Sequence, residues 1–148
     1  GAWKKDGQSW IIVELGTATT IQLVSAKGVF EGAIIAPGMK TGAANLFNKA
    51  AQLHELEPVS PTSLLGNNTH DAVLSGIVNG HALMVDGFVN KLKLQYFDLA
   101  PITTILCGGL AGLIMPMVSS ADILDKNLTL EGFYMALNTL YKPSSNAN

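Results

Sequence analysis

Apolar and polar positions along the first third of the chain alternate in short runs that predict strands. Trp10-Ile11-Ile12-Val13 is apolar and β-branched, Ile21-Gln22-Leu23-Val24-Ser25 alternates, and Val29-Phe30-Glu31-Gly32-Ala33-Ile34-Ile35 follows a turn at Lys27-Gly28. Pro37-Gly38 breaks the run. Thr41 to His54 then carries helical spacing, with Ala44, Phe47 and Ala51 on one side, and Glu55 to Pro61 reads as a loop. A long helix follows: Thr69 is its expected N-cap, Asp71 complements the N-terminus, and Val73, Ile77, Gly80, Met84 and Phe88 recur at three to four residues towards Tyr96. Thr103-Thr104-Ile105-Leu106 is predicted as a buried strand and Ala121-Asp122-Ile123-Leu124 as a short edge strand, with a last helix opening at Leu128 or Thr129 and running through Tyr141. The order is βββ, α, α, β, β, α. No linker separates two units, so residues 1–142 read as one domain and 143–148 as a frayed tail.

Between the first two strands, Val13-Glu14-Leu15-Gly16-Thr17-Ala18-Thr19-Thr20-Ile21 sets a carboxylate, a glycine and three hydroxyls in a hairpin bend. Gly16 is free to take a positive φ and lets backbone N–H groups approach an anion, while Thr17, Thr19 and Thr20 offer hydroxyl donors to phosphate oxygens. Glu14 suits a hard cation beside those phosphates, Mg²⁺ through water or a monovalent ion. An ordinary hairpin with threonines chosen for β-propensity fits the same spacing. Context decides between them.

That context is a series of motifs in order. Glu14-Leu15-Gly16-Thr17-Ala18-Thr19-Thr20 resembles the Asp-x-Gly-Thr-Ala-x-Thr phosphate motif of type III pantothenate kinases, and Gly32-Ala33-Ile34-Ile35-Ala36-Pro37-Gly38 resembles their segment ending in Ile-x-Pro-Gly. Asn68-Thr69-His70-Asp71-Ala72-Val73-Leu74-Ser75-Gly76 is similar to the family's Asn-Thr helix start, Cys107-Gly108-Gly109-Leu110 to its Thr-Gly-Gly motif, and Leu128-Thr129-Leu130-Glu131-Gly132 to its closing Leu-Thr-Leu-x-Gly segment. The resemblance runs from about Trp10 to the last helix and covers the C-terminal portion of the family.

The resemblance implies an α/β fold, a ribonuclease-H-like lobe of the actin-like ATPase and sugar-kinase superfamily that starts with three antiparallel strands. It implies ATP-dependent phosphorylation of pantothenate to 4'-phosphopantothenate in coenzyme A biosynthesis, with Mg²⁺ and a monovalent cation, K⁺ or NH₄⁺. Gly16, Thr17, Ala18 and Thr19, with Gly108 and Gly109 where a strand ends, would face ATP; Glu14 would hold the cation; Thr69 would reach the pantothenate pocket of a neighbouring subunit. Thr69 as a plain cap and Gly108-Gly109 as a tight turn fit the same positions. The family's Asp-x-Gly-Asn-Thr loop and its Gly-x-Asp-Arg segment, which carries the catalytic base, do not occur here, so no catalytic residue is expected in this chain. A complementary N-terminal kinase lobe is therefore an expected partner, in a homo- or hetero-oligomer. Three positions depart from the family: Glu14 for aspartate, Gln22 for aspartate and Cys107 for threonine. A non-catalytic binding or regulatory subunit, akin to the family's accessory-factor branch, is the alternative. The enzyme reading is preferred because Glu14 keeps the charge and Thr17 and Thr19 keep the hydroxyls.

Composition narrows the partners. With 48% apolar and 14% charged residues and a net charge of −2, the chain has no basic stripe for nucleic acid, and few solubilising groups, so part of its surface is expected to be covered. The longest apolar-looking stretch, Ile102 to Val118, is broken by glycines and a proline and falls short of the ~20 residues of a membrane span. One cysteine and no leader-like start fit a cytoplasmic protein. His54, His70 and His81 lack ligand spacing and read as solvated or locally bonded, Cys107 as a small buried residue, Trp3 and Trp10 as packing.

Overall fold

A computed structural model describes residues 8–49 and 56–140 of the chain. Expectations for Trp3, His54 and the 143–148 tail lie outside the described residues.

The alternating first third forms three strands as predicted, β1 (Ser9–Leu15), β2 (Ala18–Val24) and β3 (Phe30–Pro37), joined later by β4 (Ile102–Cys107) and β5 (Ile123–Leu124). They make one sheet in the order β3-β2-β1-β4-β5. β1 pairs antiparallel with β2 and parallel with β4, so the strand carrying Glu14 lies at the centre with backbone partners on both sides. This mixed sheet, opening with three antiparallel strands, is the α/β architecture that the resemblance implied. The pleat sends Ile11, Val13 and Leu15 to one face, where they join the main core, and Trp10 and Ile12 to the other, where they meet Ile105, Cys107 and Leu128.

Among the described residues four α-helices accompany the sheet: α1 (Met39–Lys49), α2 (Thr69–Gln95), α3 (Ala111–Ile114) and α4 (Leu128–Leu140). The α1 helix starts two residues ahead of the expected Thr41. The four-residue α3 was not foreseen, being too short to show a period. On α2 the sequence pattern was off by one position. Leu74, Val78, Ala82, Val85 and Val89 form the buried stripe, whereas Val73, Ile77, Met84 and Phe88 sit half-buried at its border. The cap is also one residue earlier than expected: Asn68, not Thr69, caps α2, its side-chain oxygen accepting the Asp71 N–H at 2.9 Å. Asparagine in extended backbone satisfies an orphan donor directly, and Thr69 becomes the first helical residue.

α2 has the length and composition of a membrane span, which Ile102–Val118 does not, but its buried stripe packs into the main core as that of a core helix. Asp86 fastens its middle. The two carboxylate oxygens accept from the N–H and hydroxyl groups of Ser119 and Ser120 at 2.6–3.1 Å, tying α2 to the connection before β5. Partial burial disfavours the charge, but these four donors outweigh it and hold the Asp86 carboxyl below its ordinary 3.8. Nearby, Asp122 accepts the Thr104 N–H at 2.7 Å and meets Lys93 of α2 at 3.4 Å. Asp86→Ala should lower stability by about 1–3 kcal/mol in urea denaturation, because several donors lose a charged acceptor. Asp86→Asn, which keeps one acceptor oxygen, should lose less.

Candidate functional site

The β1–β2 hairpin is built by close backbone contact. Gly16 and Thr17 form the bend, Leu15 faces Thr19 across it, and the Thr17 carbonyl accepts the Gly38 N–H at 3.0 Å and the Thr41 hydroxyl at 2.8 Å. A side chain at Gly38 would collide with the carbonyls of Gly16 and Thr17. On the other flank Gly108 adopts φ +95°, and a Cβ there would stand 2.6 Å from the Leu15 carbonyl oxygen. Pro37-Gly38 and Cys107-Gly108-Gly109, far apart in sequence, thus converge on one bend.

Gly16 departs from its expected role. Among the described residues the positive-φ glycines are Gly28, Gly32 and Gly108, so Gly16 does not use its freedom to turn left-handed. A Cβ at Gly16 would touch only the Ala18 carbonyl, at an ordinary 3.7 Å. No clash among the described residues accounts for this glycine. It is exposed, next to exposed Thr17, which leaves backbone open to an incoming group.

Two faces meet at the bend. On one, Glu14 pairs in register with Thr20 of β2 and Cys107 of β4, and its Oε1 accepts the Thr129 hydroxyl of α4 at 3.3 Å. Gln22 donates to the Thr20 hydroxyl at 3.2 Å on this face. Cys107 is buried; desolvation, with the charges of Glu14 and Asp125, pushes its thiol up to about 11 despite a hydrogen bond with Thr129. It is a small buried residue, as expected. On the other face Thr19 is fully buried, and its hydroxyl lies 2.7 Å from His81 Nε2 of α2. Sequence spacing gave no sign of this pair, whose members stand sixty-two residues apart.

Glu14, Gly16, Thr17, Ala18, Gly108 and Gly109 therefore gather where β1 and β4 end, and parallel-sheet folds place ligands at such carboxyl ends. Thr19 stays in the same hairpin, with its hydroxyl engaged from below. Thr69 is not in this group. It lines an open groove of about 790 Å³ between α1 and α2, whose wall also includes Gly38, Met39, Val73, Ile77 and His81. Gly38 and His81 belong to both places, so groove and hairpin share a wall. Among the described residues no group of three or more His, Cys, Asp or Glu side chains could enclose a metal ion. Glu14 alone fits the other mode, a mostly hydrated hard cation held by one carboxylate and by phosphate oxygens.

The family model for type III pantothenate kinase matches residues 1–91. The chain belongs to the type III pantothenate kinase family. It is 39% identical over 126 residues to the type III pantothenate kinase of Thermobifida fusca, covering 84% of this chain and 49% of that protein. Against the Rhodococcus erythropolis enzyme it is 41% identical over 124 residues, covering 82% and 46%. The chain spans about half the length of the curated relatives it matches. A solved structure of a Campylobacter jejuni protein, described as a conserved Baf family transcriptional activator, superposes with TM-score 0.58 at 22% identity over 94% of this chain and 62% of that one, which shows the shared fold.

The His81–Thr19 pair makes stability pH-dependent. Burial holds the His81 pKa below its ordinary 6.5, so as pH falls through 6.5 the unfolded chain takes up a proton that the folded chain refuses. The contribution is complete above that value and is lost on acidification. Urea midpoints measured from about pH 7.5 down to about pH 5 should fall, and His81→Gln, which can bond Thr19 without titrating, should flatten that slope. An unchanged slope in the variant would remove His81 as the source.

Proposed function

We propose that this chain is the C-terminal half of a type III pantothenate kinase that transfers the γ-phosphoryl group of ATP to pantothenate once a complementary N-terminal lobe supplies the first phosphate loop and the base. The observation that carries the reading is the convergence of Gly16-Thr17, Gly38 and Gly108-Gly109 on one exposed bend beside Glu14. Phosphoryl transfer depends on positioning and charge neutralisation more than on covalent chemistry, so a rigid hairpin is a suitable contribution from one half of an enzyme. In this reading the Gly16–Thr19 hairpin approaches the nucleotide phosphates with backbone N–H groups and the Thr17 hydroxyl. Thr19, held by His81, fixes the shape of the bend, and Gly108-Gly109 lies flat against adenosine. Glu14 would hold Mg²⁺ through water, or K⁺ or NH₄⁺, and a cation there would neutralise phosphate charge. Curated relatives named as kinases favour this over a regulatory subunit. The cytoplasm, where ATP and pantothenate meet, is the proposed compartment.

The purified chain alone should not phosphorylate pantothenate, and addition of an N-terminal half bearing the Asp-x-Gly-Asn-Thr and Gly-x-Asp-Arg segments should restore turnover with K⁺ or NH₄⁺. Robust activity from the chain alone would overturn the proposal. In the assembled enzyme Glu14→Ala should lower kcat by on the order of 10²-fold and blunt the response to monovalent salt, with Glu14→Asp tolerated. A normal salt response in the alanine variant would leave Glu14 with a structural role.

We also propose that α2 pairs with another subunit so that Thr69, at its start, borders the neighbour's pantothenate pocket. The groove beside Thr69 is apolar, and Gly76 and Gly80 on its wall permit close approach. Such an interface should bury at least ~1,000 Å². Sedimentation as a monomer at micromolar concentration would remove it.

A further inference from the structure

The carboxylate beside the bend is a glutamate, Glu14, where the family resemblance has aspartate. A glutamate carries one more rotatable bond, so its carboxylate sweeps a wider volume and loses more freedom when a cation requires it in one place. A second group has to hold it. Among the described residues the side chain that donates to it is Thr129 of α4, whose hydroxyl lies 3.3 Å from Oε1. That is long for a hydroxyl donor, for which about 2.5–3.0 Å is usual, so the contact serves direction more than strength.

The surroundings leave that proton no better acceptor. Cys107 of β4 pairs in register with Glu14 and is hydrogen-bonded with Thr129, but a thiol sulfur accepts only weakly. The arrangement that satisfies all three groups runs from the Cys107 S–H to the Thr129 oxygen and from the Thr129 O–H to Glu14. Thr20, opposite Glu14 on β2, has its hydroxyl oxygen engaged by Gln22 at 3.2 Å. Thr129 is itself well placed, because Leu128 beside it is buried with Trp10, Ile105 and Cys107 and pins the start of α4 to the smaller core. Three elements, β1, β4 and α4, thus meet at one hydroxyl. We infer that Thr129 is a positioning residue for the cation: from the start of α4 it fixes the extra torsion of Glu14, so that the longer carboxylate is presented in one orientation. The inference rests on the kinase reading above, in which Glu14 faces the cation.

The test uses the enzyme assembled from this chain and an N-terminal half, with K⁺ as the probe cation, and crystals of the 148-residue chain itself. Thr129→Val keeps the side chain's shape at an exposed position and removes the hydroxyl. It should raise the half-saturating K⁺ concentration about three- to tenfold, and Thr129→Ser should leave it near the unaltered value. In a Glu14→Asp background, where the shorter side chain falls short of α4, and in Glu14→Ala, where no carboxylate remains, Thr129→Val should change neither kcat nor the K⁺ response further. In the crystals the Glu14 carboxylate should hold one conformation in the unaltered and Thr129→Ser chains and spread over more than one in Thr129→Val. An equal cost of Thr129→Val in all three backgrounds, no cost beside Glu14, or an unmoved Glu14 in the Thr129→Val crystals would each overturn the inference. An assembled pair inactive in every version, with Glu14 released in the Thr129→Val crystals, would remove the kinase reading and keep Thr129 as the residue that fixes Glu14. An active pair with Glu14 unmoved would do the reverse.

Discussion

At Gly38 and Gly108 the chain passes so near the β1–β2 hairpin that a methyl group at either position would run into backbone atoms of that hairpin. One approach comes from the junction of β3 with α1, the other from the end of β4. Between them they fix the bend from both flanks, and the Thr17 carbonyl is fully used, accepting from Gly38 and Thr41. A turn of two or three residues is otherwise among the most mobile parts of a protein. Here it is preorganised by contacts that only glycine permits, which is the condition for backbone amides to act on an anion without reordering.

The same constraint divides the sheet into two kinds of face. Beneath the hairpin lies the large core, where α2 presses its stripe against Ile11, Val13 and Leu15 and where His81 meets Thr19. Across the sheet the core is smaller, and Glu14 stands at its margin with Thr20, Gln22 and Thr129 near it. On the deep side the buried Thr19 hydroxyl is satisfied internally, by His81. A carboxylate at the margin of the thin side keeps acceptor capacity for something outside the chain.

Much of this was legible in the sequence because strand alternation and turn residues act over a few positions. β1 to β3, the Lys27-Gly28 turn and the existence of α2 follow from such local rules. The α2 stripe slipped by one position because the helix is apolar nearly all round, so Val73, Ile77 and Met84 competed with Leu74, Val78 and Val85 as its core face. Asn68 lost to Thr69 as cap because both residue types cap well and only backbone dihedrals separate them. For the hairpin, sequence pointed to Gly16 as the glycine with conformational work, whereas the backbone assigns that work to Gly38 and Gly108. Close approach between segments distant in sequence leaves no trace in local pattern, and the same holds for Asp86 with Ser119-Ser120 and for His81 with Thr19.

Cys107 stands where the family resemblance has threonine, beside Glu14. Its thiol is pushed up to about 11. The thiolate, the form that reacts with electrophiles and peroxide, is thereby disfavoured at neutral pH. Burial and a neighbouring carboxylate thus make the single sulfhydryl chemically quiet although it lies next to the exposed bend. A thiol that is both buried and held in its protonated form is a poor target for thiol-directed reagents.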